Sequence, residues 1–121
     1  MQLKNDLEGR KLLDDTVRAY YRKTGNRSIK HFLWSEDRGA LASHFLLDKK
    51  HVLKISIGED RGAYLTSIQL GIGPHYFGPA DFWSYEDYRR FKIEADTWSI
   101  EFNLQLMDEF FGYKEYLPKY D

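Results

Sequence analysis

Val52 to Leu70 reads VLKISIGEDRGAYLTSIQL, and this stretch decides the fold. Before its centre, Leu53, Ile55 and Ile57 alternate with Lys54 and Ser56. After it, Tyr64, Thr66, Ile68 and Leu70 alternate with Ser67 and Gln69. A period of two is the signature of a strand with one buried face. The residues between, Glu59-Asp60-Arg61-Gly62-Ala63, combine acids with glycine as a tight turn requires, so the stretch reads as a β-hairpin. The same pentapeptide occurs 23 residues earlier, as Glu36-Asp37-Arg38-Gly39-Ala40. It too is flanked by strand-like runs, Ile29 to Trp34 and Ala40 to Leu47, although Leu46 spoils a clean polar face in the second. Four strands joined by short turns form an antiparallel meander most economically, and both EDRGA turns then lie at one end of the sheet. They read as a duplicated hairpin with ordinary turn chemistry. A charged rim for a partner, carried by Glu36, Asp37, Glu59 and Asp60, is the functional alternative.

The flanking segments are helical. From about Asp6 to Thr24, Leu13, Val17, Tyr20 and Tyr21 form one apolar stripe, and Gly25 supplies a stop. After Leu70 comes Gly71-Ile72-Gly73-Pro74-His75-Tyr76-Phe77-Gly78-Pro79, which ends the fourth strand or forms a bent fifth one. Ser84, with Asp87 three residues on, reads as the cap of a short helix ending near Phe91 or Lys92. A last helix covers about Asp96 to Phe111, with Ile93, Thr97, Ile100, Leu104, Met107 and Phe111 on a narrow stripe. Trp98 and Phe102 fall on its opposite side. Burial on two sides is the commoner arrangement for such a pair, and a partner-facing patch is the other. The tail from Gly112 to Pro118 reads as a packed or frayed extension. The expected fold is a single α+β domain over residues 1–121: an antiparallel four- to five-stranded meander, with an N-terminal helix and two C-terminal helices packed on one face.

Composition limits the function. With 121 residues, 42% hydrophobic and 17% aromatic, the chain can bury a core without metal or disulfide support. No cysteine is present, which removes thiolate zinc sites and thiol nucleophiles. The charged N-terminal segment has no apolar signal core and no apolar run is long enough for a membrane span, so the expected location is the cytoplasm. The net charge of −1 hides an asymmetry, since residues 1–54 sum to +5 and residues 55–121 to −6. Glu94, Asp96, Glu101, Asp108 and Glu109 lie in a stretch without Lys or Arg. Such a surface disfavours nucleic acid and favours a basic protein, unless it is only a solvated helix face.

No constellation specific to catalysis stands out. His31, His44, His51 and His75 form no HxxxH or HExxH pattern, so no metal site is expected. His44 and His51, with Lys54, would make a ribonuclease-like acid–base pair only if both met at one phosphate; as plain strand residues they do nothing of the kind. No serine sits in a GxSxG elbow, and Gly71-Ile72-Gly73-Pro74 matches neither GxGxxG nor a Walker loop. Pro74 and Pro79 also remove donors that a phosphate cradle needs. No cofactor is called for. His75, Tyr76 and Trp83 remain as candidates for display at the sheet-to-helix junction.

Two segments carry a resemblance: Phe82-Trp83-Ser84-Tyr85-Glu86-Asp87-Tyr88 and Ile100-Glu101-Phe102-Asn103-Leu104-Gln105-Leu106-Met107-Asp108-Glu109-Phe110. Together with the order of elements they resemble bacterial immunity proteins of contact-dependent inhibition and other polymorphic toxin systems, over about the last third of the chain. The resemblance implies a partner that is a cognate toxin domain, and no functional residue transfers from it. The residues fitting such a role are the aromatic anchors Tyr76, Trp83, Trp98 and Phe102 and the acids Glu101, Asp108 and Glu109, which would steer a basic nuclease toxin. No nucleic-acid or membrane partner is expected, and the chain would be a monomer or weak homodimer. The alternative is a small ligand-binding domain or enzyme with a pocket between sheet and helices, lined by His44, His51 and the 71–83 loop.

Overall fold

The computed structural model describes residues 6–24, 29–37, 39–47, 51–82 and 84–111. The helix stop at Gly25, the candidate Trp83, the side chains of Asp37 and Phe111 and the tail from Gly112 lie outside the described part. The elements run α1 (Asp6–Thr24), β1 (Lys30–Asp37), β2 (Ala40–Leu46), β3 (His51–Asp60), β4 (Ala63–Ile72), β5 (His75–Phe77), α2 (Pro79–Phe82), α3 (Tyr85–Tyr88) and α4 (Thr97–Phe111). The strands form one antiparallel sheet in the order β1-β2-β3-β4-β5. The expected α+β meander is therefore present, with all five strands.

The turns explain the register. Asp60 pairs with Ala63 across Arg61 and Gly62, both at positive φ (54° and 83°), as a two-residue hairpin turn demands. The β1–β2 turn repeats the arrangement, with Asp37 opposite Ala40 and Gly39 at φ 81°. Ile72 pairs with His75 across Gly73-Pro74, so the glycine–proline stretch builds a third tight hairpin and a fifth strand.

Alternation then sorts the side chains. Leu41, Phe45, Leu53, Ile55, Ile57, Ile68 and Leu70 face the helices and are buried. Against them pack Leu13, Val17 and Tyr21 of α1 and Ile100, Leu104 and Met107 of α4. Each fully buried Leu or Ile there contributes about 1.5–3 kcal/mol of transfer free energy. Ser43 also points into this layer, fully buried, and its hydroxyl has no hydrogen-bond partner among the described residues. Tyr20 and Tyr21 of α1 both donate to the Asp108 carboxylate, at 3.0 and 3.5 Å, tying α1 to α4.

The α4 stripe differs from expectation at its start. The helix begins at Thr97, where the Asp96 side chain accepts from the Ser99 N–H at 2.7 Å as a cap. Ile93 precedes it and is 63% exposed, because residues 93–95 run along the edge of β4. The cap predicted at Ser84 is present: its hydroxyl accepts from the Asp87 N–H. No helix among the described residues is long and apolar enough to cross a membrane.

Candidate functional site

The outer edge of β4 is covered in two pieces. β5 pairs with Leu70, Gly71 and Ile72 at one end. At the other, Leu65 bridges Glu94, the Thr66 N–H donates to the Ile93 carbonyl at 2.8 Å, and the Ala95 N–H donates to the Tyr64 carbonyl at 3.1 Å. Between the two pieces, opposite Ile68, the ladder is interrupted. There a groove of about 400 Å³ opens, walled chiefly by Thr66, Ile68, Pro79, Tyr88, Phe91 and Ile93. Its lining is mostly apolar, the usual character of a recognition cleft.

Asn103 holds one wall in place. This residue of α4 is buried, its Oδ1 accepts from the Lys92 N–H at 2.7 Å, and its Nδ2 donates to the Lys92 carbonyl at 2.9 Å. The amide thus satisfies both backbone groups of one residue, fixing the 91–95 segment against α4. Lys92 in turn reaches over the exposed side of the helix. Its ammonium lies 5.7 Å from the Trp98 ring centre and 5.0 Å from that of Phe102. The two rings are stacked at 5.4 Å, and Trp98 is 63% exposed. Burial on two sides, the commoner expectation for this pair, does not occur. The helix packs through Ser99, Ile100, Asn103, Leu104, Leu106 and Met107, leaving Trp98, Phe102 and Ile93 as an apolar patch beside the groove.

The acids of this region are largely occupied. Asp96 caps α4, Asp108 accepts from Tyr20 and Tyr21, and Glu109 lies 3.7 Å from Arg90. Glu94 is exposed and Glu101 partly exposed, one on each side of Trp98 in sequence. Glu36, Glu59 and Asp60 are exposed at the end of the sheet carrying the EDRGA turns, whereas His75 is exposed at the opposite end. The predicted site residues are therefore dispersed. Only Trp98, Phe102 and their acidic neighbours form a group on α4.

Tyr76 occupies a different place, the sheet face turned away from α1 and α4. Its ring crosses β4 over Gly71, where an added Cβ would meet Tyr76 Cε1 at 2.8 Å. Beyond that crossing its hydroxyl is hydrogen-bonded to His44 Nδ1 at 3.1 Å, and His44 Nε2 to the Ser35 hydroxyl at 2.8 Å. His44 is only 4% exposed. Burial, then the neighbouring Lys54 charge and His31, hold its pKa below the ordinary value. His51 lies on the other face by alternation, pairing with Ile72 while His44 pairs with Lys54. The acid–base pair of His44 and His51 is thus not formed. The core cluster fills the space under α1 and α4, and the groove at the edge of β4 takes in Gly78, Pro79 and Ala80 of the 71–83 loop but neither His44 nor His51.

Sequence reasoning did not single out Asn103 or Lys92, and it placed Ile93 on the apolar stripe of the last helix rather than at the groove. A buried-looking asparagine beside Leu104 and Ile100 was the available signal, since a polar residue on an apolar stripe needs a partner. Comparison with family models, curated proteins and solved structures finds no match to this chain. No group of three or more potential metal ligands occurs among the described residues.

Proposed function

We propose that this chain is a protein-binding domain of the immunity type, which captures a cognate toxin domain on the α4 patch and the adjoining groove. The exposure of Trp98 carries this reading. A large indole stacked on Phe102, held by a cation and set beside an apolar cleft, has the composition of an interface hot spot. Leaving so much apolar ring in water has no benefit to the isolated fold, whereas burial against a partner recovers it. Glu94 and Glu101 flank the patch, which suits a partner with a basic rim. The resemblance of residues 82–88 and 100–110 to immunity proteins supplies the toxin as partner class.

Isothermal titration of the purified protein with the product of the neighbouring upstream gene tests the proposal. A 1:1 complex is expected, weakened about thirtyfold or more by Trp98→Ala, corresponding to a hot-spot loss of about 2 kcal/mol. Thermal unfolding of the variant should be nearly unchanged, because the ring is exposed. Absence of a complex, or unchanged affinity in the variant, would overturn it.

A further inference from the structure

The sheet face opposite the helices carries a second concavity, which meets the groove at Ser67, Ile68, Gly78 and Pro79. It measures about 380 Å³ and is lined by Lys54, Ser56, Ser67 and Gln69, with Ala40 and Ala42 on one side and the Gly78-Pro79 bend on the other. Register places these polar residues as a square. Lys54 is directly opposite Gln69, and Ser56 directly opposite Ser67. Direct cross-strand partners have Cβ atoms about 5 Å apart, and the two rows are separated by about 7 Å along the strands. All four side chains stand on the same sheet face and line the one basin.

The composition of the square selects its ligand. An ammonium, two hydroxyls and an amide can all donate, and no carboxylate is among the lining residues. The Ser56 and Ser67 hydroxyls are hydrogen-bonded to each other, so one of their two protons lies between them and the other remains for a ligand. Small residues make room: Ala42 is completely buried although it lies on the open face, and Gly58 sits against Ala40, where even a Cβ would approach within 3.2 Å. The end of the basin is held by the crossing of Tyr76. Its ring, pinned to His44 and through it to Ser35, lies 5.1 Å from the Lys54 ammonium. This arrangement limits the freedom of the lysine before any ligand arrives, and preorganisation of that kind reduces the cost of binding.

The geometry points to the Lys54–Ser56–Ser67–Gln69 basin as a binding site for a small oxyanion ligand, recognised by one ammonium, one serine hydroxyl and one amide N–H. Its openness to solvent favours an affinity in the millimolar range for the bare ion.

Titrating the full chain with inorganic phosphate, and separately with acetate, while following backbone amide shifts by NMR tests the site. Saturable shifts clustered at residues 54–56 and 67–69 are expected with at least one of the two ions. Lys54→Met should weaken the affinity about tenfold or more, and Lys54→Arg should retain most of it. Ser67→Ala, at an exposed position with little effect on folding, gives a second probe and should weaken binding about threefold or more. Shifts that do not saturate with either ion, shifts centred on Arg89 and Arg90 instead, or unchanged affinity in both Lys54→Met and Ser67→Ala would overturn the assignment. The basin and the groove share Ser67, Ile68, Gly78 and Pro79, whereas Lys54 lines the basin alone, so the Lys54→Met titration stands or falls independently of the toxin complex.

Discussion

Gly71→Ala tests the packing of the open sheet face most directly. Gly71 does not have a positive φ, so an alanine there faces no backbone strain; the whole effect comes from space. The new Cβ would lie 2.8 Å from Cε1 and 3.2 Å from Cδ1 of Tyr76, and 3.3 Å from Cβ of Val52. A ring at 2.8 Å has to move, and moving it breaks the 3.1 Å bond to His44 Nδ1. That bond is worth about 1 kcal/mol net, and a buried imidazole nitrogen left without a partner raises the cost to about 1–3 kcal/mol. Separation from the Lys54 ammonium adds about 0.5–1 kcal/mol. Replacing a strand glycine returns about 0.5–1 kcal/mol through the unfolded chain. The expected net destabilisation is about 1–3 kcal/mol, or roughly 4 °C in Tm per kcal/mol for a domain of this size. Urea unfolding of Gly71→Ala, Tyr76→Ala and the double variant measures it. In the Tyr76→Ala background the cost of Gly71→Ala should shrink to within about 0.5 kcal/mol, leaving only the contact with Val52. A stabilising Gly71→Ala, or an equal cost in both backgrounds, refutes the crossing as the reason for glycine.

Two further outcomes concern other parts of the molecule. Asn103→Ala strips the Lys92 N–H and carbonyl of their shared partner and should destabilise by about 2–3 kcal/mol in chemical denaturation, with faster amide exchange at residues 92–95. Acidification should also weaken the fold. His44 and His31 both have lowered pKa values, chiefly through burial; Lys54 and His31 add to this at His44, while at His31 Asp14 opposes and Arg18 and Arg10 reinforce it. The unfolded chain therefore binds more protons in mild acid, so stability is full above about pH 7 and declines as the pH falls below about 6.5 toward the folded-state values. NMR titration of the imidazole signals checks this, and a His44 that titrates above its ordinary value contradicts it.

Local pattern made the sheet and its turns legible in the sequence. Alternation around Leu53–Ile57 and Tyr64–Leu70 fixes which face is buried, and Arg61-Gly62 fixes the register, because a two-residue turn allows only one pairing. The stripe on α4 was legible for Ile100, Leu104 and Met107 for the same reason. It misled at Ile93, since helical periodicity continues into a segment that the edge of β4 captures as a bridge. Trp98 was misjudged because burial preference is an average, and the exposure of this ring depends on what packs around one helix. The candidate sites were less legible still. Tyr76 and His44 are separated by 32 residues, and Asn103 and Lys92 by 11; each pair meets only through tertiary register. The acids between residues 93 and 112 looked alike in sequence, yet Asp96 became a cap and Asp108 a tyrosine acceptor.

β1 has a consequence for behaviour at high concentration. It is an outermost strand, and among the described residues nothing pairs with its far side, while Phe32 and Leu33 stand 46% and 45% exposed beside it. Sheet growth from one molecule to the next would begin there, since the opposite edge offers only the three residues of β5, and the rest of β4 is partly covered by residues 93–95. The irregularity between His31 and Leu33 shifts the pairing register part-way along the strand. An incoming straight strand can match Lys30-His31 or Leu33–Asp37, but not both together. The bulge thereby shortens the longest regular template on β1 from eight residues to the five of Leu33–Asp37.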